Sequence, residues 1–412
     1  MTKYSKWVTM AALCWSGSAI YFLPFISETF YVPMQNAFGF DNTQMGMLMS
    51  IFGTTSLIAY FPGGWLADKF SPRRLITVAL LICGFAGFYM ATLPPFLMCL
   101  VIYGIWGACV SLIFWSAMIK ATREWAPPEQ QGRAFGILES GRGLSDAMMG
   151  TFVGFVFIWL GSDDYAFEQV VNILAASMVL FSVIVWFSLE KRNPNDPKYN
   201  VSEEDKIKLS DIIEVLKIPE VWLISLVILA SYTCYWGGFY FAKFATEAFA
   251  MGIALGIVIG TAKTWINPIA PLIAGILGDK IGISRSVFGL LSLLVVTFFL
   301  LGIMPYGPNF VIIMMVTMAI TAFAYYALRG IYFAIFEEGG IPLRVTGTAA
   351  GIVSIIGYLP DIYMPYIGGV IFDAYPGDLG YRYLFYIVSA ICVVGATAAY
   401  MIMRRSKQRL AI

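Results

Sequence analysis

The 412-residue chain contains no histidine. Any proton relay must therefore run through carboxylates, and imidazole-based metal sites and triads are excluded. Charge is scarce as well. Asp, Glu, Lys and Arg make up 12% of the chain against 59% hydrophobic residues, and the mean hydropathy is +0.77. Those values lie outside the range of a soluble globular domain. The cysteines, Cys14, Cys83, Cys99, Cys109, Cys234 and Cys392, all fall inside apolar runs with no metal-ligand spacing. They are expected to be free, buried thiols, with neither a metal nor a disulfide framework. No P-loop, metal-ligand cluster or catalytic triad occurs, so an enzyme is disfavoured, and no cofactor or nucleic-acid partner is expected. The one long polar stretch, 190–220, is too short for a receptor's soluble domain. No cleavable signal peptide is expected, because the first apolar run is long and lacks a small-residue cleavage pattern.

Long apolar runs are what the chain has in abundance. A helix needs about 20 apolar residues to cross a bilayer. Runs of that kind cover 7–28, 43–67, 75–93, 96–119, 133–160 and 170–189. Six more cover 221–246, 251–277, 286–304, 309–336, 346–372 and 383–403. The expected fold is an all-α membrane protein of twelve transmembrane helices. Its expected division is a six-helix bundle over 1–190, a polar connection over 191–218 and a second six-helix bundle over 219–412. Within the connection, 202–209 has the pattern of a short amphipathic surface helix. Aromatic residues, 16% of the chain, suit interfacial belts and an aromatic-lined cavity.

The two halves repeat. Gly64, Leu66, Asp68 and Lys69 close the second run, and Gly275, Leu277, Asp279 and Lys280 close the eighth with the same spacing. The two aspartates stand 211 residues apart, and three further pairs, Gly132/Gly347, Gly136/Gly351 and Asp146/Asp361, each stand 215 apart. A repeat of that size in so apolar a chain points to a transporter built from two homologous halves. Basic residues set the orientation. Lys3, Lys6, Lys69, Arg73, Arg74, Arg123, Arg133, Lys280, Arg285, Arg344 and Arg404 lie at the even-numbered connections or the termini, as do the basic residues of the central connection. The opposite connections carry Arg382 alone. Both termini are therefore expected on the cytoplasmic side of a cytoplasmic (inner) membrane.

With its twelve runs and doubled motif, the chain resembles the major facilitator superfamily over essentially its whole length. The family pattern is Gly-x-Leu-Ala-Asp-Arg/Lys-x-Gly-Arg-Lys/Arg. The first copy has Ser71 and Pro72 in place of the Gly-Arg pair, so Arg73 and Arg74 arrive one position late. The second keeps Gly275, Leu277, Asp279, Lys280 and Gly282, then departs at Ile283 and Ser284 before Arg285. The run 129–143 is similar to a YihN-like branch. The fifth-span proline motif of drug/proton antiporters is missing, since Gly150 and Gly154 stand without a proline. The resemblance implies two bundles related by a pseudo-two-fold axis. It also implies a central cavity lined by spans 1, 2, 4, 5, 7, 8, 10 and 11. It makes the Asp68 motif a conformational latch toward a neighbouring basic loop or the start of span 11 near Thr346. The plain alternative is that these basic loops only mark topology.

The charges inside the membrane are the candidate site, because each costs at least about 2.5 kcal/mol on insertion scales. Glu139, Arg142 and Asp146 share one face of span 5, and Lys263 and Asn267 share a face of span 8. Arg329 lies on span 10 between Tyr325 and Tyr332, and Asp361 on span 11 follows Tyr358. Span 7 carries a stripe of Tyr232, Trp236, Phe239 and Lys243, and span 1 one of Ser18, Tyr21, Phe25 and Glu28. Lys263 and Arg329 have no acid on their own helices and are expected to contact substrate, with Arg142, Asn267, Tyr325, Tyr232 and Trp236 around them. Arg142 has acids at hand on its own helix, so the span 5 triad reads equally well as a structural or gating network. Asp146 follows Arg142 by one turn and is expected to be held by it. Asp361 has Gly357 at the equivalent position, which makes it the expected proton carrier, with Glu139 and Asp146 as the other acids.

The expected function is secondary active transport of a small solute by a monomer working through alternating access. The solute expected is an organic anion: a carboxylate, an acidic sugar or a sugar phosphate, with protons as the coupling ion. Two alternatives stay open. An exporter of amphiphilic compounds would use the aromatic lining and tolerate loss of Lys263 or Arg329. An anion exchanger would need no titrating acid.

Overall fold

The computed structural model describes residues 3–126, 130–189, 209–341 and 346–410. It is helical throughout, and the helices make twelve traverses in chain order. Spans 2, 3, 5 and 6 are single helices, Asn42–Lys69, Pro72–Met90, Gln131–Trp159 and Asp164–Ser188. Spans 9 and 12, Ile283–Ile303 and Asp378–Leu410, are also continuous. The others are interrupted. Span 1 is Lys3–Phe22 followed by Ser27–Phe38, and span 4 is Phe96–Ala108, a π-helical Cys109–Trp115 and Ser116–Trp125. Span 7 is Pro219–Phe239 then Phe241–Glu247, and span 8 is Ile253–Thr264 then Ala270–Ile281. Span 10, Val311–Ile331, continues through a 3-10 turn to Ile335–Glu338, and span 11 is Thr346–Gly357 then Pro360–Ala374. Nine stretches among the described residues are long and apolar enough to cross a membrane; spans 2, 5 and the two halves of span 8 complete the twelve.

Proline explains three of the interruptions. Pro24 sits in the break of span 1, Pro268 in that of span 8, and Pro360 begins the second half of span 11. A proline lacks the N–H that would close the helical ladder, and its ring displaces the carbonyl one turn back. Span 1 runs to Phe38, well past the expected end at residue 28, because Glu28 is paired inside the protein and need not mark a membrane boundary. The expected surface helix at 202–209 lies, apart from Leu209, outside the described residues; a helix is found at Leu209–Leu216. All six cysteines are free and buried. Large apolar side chains such as Trp159, Phe187 and Ile312 point outward, 74–80% exposed, as a lipid-facing surface does.

Among the described residues the two six-helix groups meet along three main seams: span 2 with span 11, span 5 with span 8, and span 1 with spans 7 and 8. In the first, spans 2 and 11 meet backbone to backbone. A Cβ at Gly53 would sit 2.4 Å from the Asp361 carbonyl oxygen, and one at Gly369 2.2 Å from that of Asn42. At the face opposite the chain termini Asp373 of span 11 caps the start of span 2, accepting from the Thr43 amide at 2.7 Å and the Asn42 side chain at 2.8 Å. In the second seam, Trp265 of span 8 donates to Thr151 of span 5 at 3.0 Å. In the third, Phe25 and Tyr31 of span 1 pack on Tyr235, Trp236 and Tyr240 of span 7. Toward the terminal face a Cβ at Gly136, Gly275 or Gly351 would meet nothing within 4 Å among the described residues.

Candidate functional site between the two bundles

Arg329 is the centre of the site. The stretch 324–332 of span 10 is buried except for Arg329 and Gly330. The guanidinium lies 5.5 Å from the ring centre of Tyr232 and 5.1 Å from that of Tyr235, both on span 7. Such cation–π contacts orient the group while leaving its N–H fork open. Arg329 forms no ion pair among the described residues.

The first half also has an interior arginine, Arg142 on span 5, which is not the repeat equivalent of Arg329 and is engaged differently. Its guanidinium sits 5.4 Å from the Tyr21 ring and 5.3 Å from the Trp115 ring. One nitrogen, Nη1, donates to both oxygens of Glu139, at 2.9 and 3.2 Å. Arg142 was expected to hold Asp146 and instead bonds Glu139, because Asp146 is turned to Ser18 of span 1. Asp146 accepts from the Ser18 hydroxyl of span 1 at 2.9 Å. Its repeat equivalent, Asp361, accepts from the Trp236 indole of span 7 at 2.8 Å. Each acid is thus held by a neutral donor from the first span of its own half. Trp236, expected against substrate, is fully buried and spends its N–H on Asp361.

Lys263 departs from its expected role. It is buried, 2.6 Å from Glu28 Oε1 across the seam between bundles, and it also donates to the Gly238 carbonyl at 2.9 Å. Tyr235 donates its hydroxyl to the other Glu28 oxygen at 2.7 Å. A lysine so paired is not available as a free anion site, since a charge withdrawn from its partner in this setting is costly. Sequence reasoning missed Glu28 as that partner, placing it at the end of span 1. Lys243 is similarly spoken for, bonded to Glu247 and enclosed by the rings of Tyr31, Phe372 and Tyr381.

The remaining expected residues fall into two groups. Tyr232 is half-buried beside Arg329, and Asn267 lies in the break of span 8, where a Cβ at Gly143 of span 5 would approach its side chain to 3.4 Å. Tyr325 is fully buried, its ring 4.5 Å from that of Tyr326. The doubled Gly-x-Leu-x-Asp-Lys motif closes spans 2 and 8, at Lys69 and near Ile281. The side chain of Asp68 lies outside the described residues, as does the loop 342–345 before Thr346. Lys69 and Arg74 are exposed, and Arg73 lies 4.2 Å over the Trp186 ring. In the second copy Gly275 is half-buried and Asp279 and Lys280 are exposed. Glu338 at the end of span 10, which sequence reasoning did not single out, caps span 9 there, accepting from Ile283 and Ser284 at 2.6 and 2.9 Å.

Comparison with known proteins agrees with this architecture. The sequence model of the Major Facilitator Superfamily matches residues 8–365. The chain is 32% identical to the inner membrane protein YqcE of Escherichia coli over 92% of this chain and 90% of that one. It is 29% identical to the inner membrane protein YihN of the same organism, over 99% and 98% of the two chains. A hexuronate transporter of Bacillus subtilis matches more locally, 27% identical over 37% of this chain and 35% of its own. The fold resembles that of a bacterial homologue of the human lysosomal transporter Spinster, solved in an inward-facing, unoccupied conformation. The TM-score is 0.79 at 15% identity, covering 98% of both chains. The chain belongs to the Major Facilitator Superfamily, and its family and fold are those of membrane transporters rather than enzymes.

Proposed function

We propose that this transporter carries a small organic anion, a carboxylate or acidic sugar, and that Arg329 receives the anionic group. The observation that carries the proposal is the aromatic-clasped guanidinium of Arg329, without an ion pair among the described residues while Arg142, Lys243 and Lys263 each have one. A charge inside a membrane protein calls for a partner, and a planar fork suits a carboxylate or phosphate. The local likeness to a hexuronate transporter supports the same class of solute. Tyr232 borders the Arg329 clasp and supplies a hydroxyl for a polyhydroxylated anion.

Transport proceeds by alternating access, with the bundles closed at the face opposite the termini and apart at the terminal face. Given the basic residues of the termini and even-numbered connections, that arrangement is inward-facing in a cytoplasmic membrane. Asp361 is the acid through which protons enter the cycle, since its charged neighbour is Arg329, the group that the anion neutralises. Asp68 acts as the latch of the other state. A thermal-shift screen of the purified protein against hexuronates, aldonates, dicarboxylates, sugar phosphates and drug-like cations tests the reading. Stabilisation by a sugar acid, lost in Arg329→Ala, supports it. Stabilisation by amphiphilic cations alone, unchanged in Arg329→Ala, rejects it in favour of an exporter.

A further inference from the structure

Tyr235 touches both the anion-receiving group and the contact that ties the two bundles together. Its ring lies 5.1 Å from the Arg329 guanidinium carbon, and its hydroxyl donates to Glu28 at 2.7 Å. Glu28 in turn forms the ion pair with Lys263, at 2.6 Å, that crosses from the first bundle to the second. Glu28 is the second residue of the second half of span 1, Ser27–Phe38, close after the break at 23–26. Phe25 within that break packs on the Tyr235 ring at 6.5 Å between centres. The pieces form one continuous line from Arg329 through Tyr235 to a carboxylate beside a hinge.

We infer that Tyr235 is the positioning residue that transmits anion binding at Arg329 to the seam between the bundles. The inference rests on Arg329 as the anion site. A cation over a tyrosine ring draws electron density from it and makes the hydroxyl a stronger donor. While Arg329 is unliganded, the Tyr235–Glu28 bond is therefore at its strongest and the seam is held shut. An anion on Arg329 cancels much of that field. The Tyr235 hydroxyl then donates more weakly, Glu28 is held by Lys263 alone, and the hinge after Phe22 is freer to swing span 1 away from span 7. Substrate thus loosens the closed face, as an alternating-access cycle requires of a ligand that binds both states unequally.

Tyr235→Phe tests this with one oxygen atom. The ring stays under Arg329 and the bond to Glu28 is lost. The reporter is Ile257→Cys, placed where the native side chain is 2% exposed and lies against Gly154 of span 5 at the closed face, in a background freed of native cysteines. The probe anion is D-glucuronate. With Tyr235 intact, D-glucuronate should raise the labelling rate several-fold. With Tyr235→Phe, labelling should be faster without ligand, and D-glucuronate should change it by less than about two-fold. Its Kd should stay within about three-fold while turnover falls by roughly ten-fold, a split that simple misfolding does not produce. Glu28→Gln should raise unliganded labelling further. Two results overturn the inference alone: unliganded labelling of Tyr235→Phe at the rate seen with Tyr235 intact, or a full response of that variant to D-glucuronate. Failure of D-glucuronate to bind the protein with Tyr235 and Arg329 intact would overturn the assignment of Arg329 and this inference with it.

Discussion

Each half of this transporter sets an interior arginine among aromatic rings, on spans that the repeat does not relate, and the two are held in opposite ways. In the first half Arg142 is clasped by Tyr21 and Trp115 and bonded to Glu139. In the second, Arg329 is clasped by Tyr232 and Tyr235 and meets no carboxylate among the described residues. Aromatic rings orient both; only one is neutralised. The two clasps are alike although the repeat places Gly357, not Arg329, opposite Arg142, and a single acid, Glu139, separates the paired guanidinium from the one proposed to receive the anion. Removing each cation gives the largest expected contrast. Arg329→Ala should weaken binding of an anionic substrate by at least about 100-fold, the loss of two charge-assisted hydrogen bonds at roughly 1.5–3 kcal/mol each. Arg142→Ala should cost no more than about ten-fold and should lower turnover more than affinity. Isothermal titration of both variants decides, and equal losses would erase the distinction between the halves.

The acids sharpen the same comparison. Asp146 and Asp361 are repeat equivalents, each held by one neutral donor, Ser18 or Trp236. Their electrostatic surroundings differ. Asp361 has Arg329 as its charged neighbour, whereas Asp146 lies within the field of Glu28 and Arg142 as well. Arg329 acts on both acids, and we propose that an anion there alters the setting of Asp361, whose charged neighbour it is, more than that of Asp146. In proteoliposomes Asp361→Asn should lose pH-gradient-driven accumulation, by about ten-fold or more, and keep solute exchange. Asp146→Asn should slow both without uncoupling them. Accumulation that survives Asp361→Asn would move the coupling role to another carboxylate, with Glu139 the next to test.

Much of this was legible in the sequence, and what was not has a physical reason. Twelve apolar runs and the doubled Gly-x-Leu-x-Asp-Lys motif give the fold, because membrane length and repeat spacing are local properties of the chain. The segregation of charge to spans 5, 8, 10 and 11 is legible for the same reason. Partnership is not. Lys263 looked free because its acid, Glu28, is 235 residues away and on the other bundle. Arg142 had two acids in reach on one helix, and only side-chain geometry chose Glu139. Trp236 read as a ligand platform because a stripe does not reveal where an indole N–H will point.

A second comparison, between the two faces of the molecule, predicts smaller effects. Near the closed face glycine is required: a Cβ at Gly53 would meet the Asp361 carbonyl oxygen at 2.4 Å, against backbone that cannot move aside cheaply. A Cβ at Gly136, toward the terminal face, would meet nothing within 4 Å among the described residues. Gly53→Ala should therefore disfavour this state and shift the population toward opening of the closed face by several-fold, read as cysteine accessibility. Gly136→Ala should leave that ratio unchanged here, and a shift as large as that of Gly53→Ala would mean that the terminal face also packs closely in the dominant state.

The smallest effect should come from two aspartates that cap the same helix end. Asp41 caps span 2 from within its own chain segment, in a reciprocal box with Gln44 at 2.7 and 3.0 Å. Asp373 caps it from the other bundle, taking the Thr43 amide and hydroxyl at 2.7 and 2.6 Å. A carboxylate near a helix N-terminus contributes about 0.3–1 kcal/mol at an exposed site. The Asp41 cap travels with span 2 and is present whichever face is open. The Asp373 cap exists only while spans 2 and 11 are together at this face. Asp41→Asn should accordingly lower thermal stability slightly and leave the ratio of the two states alone. Asp373→Asn should shift that ratio by about two- to five-fold toward opening, with the shift shrinking at high salt as the exposed charge is screened. If the two variants change accessibility equally, the Asp373 cap stabilises span 2 alone and contributes nothing to holding the bundles together.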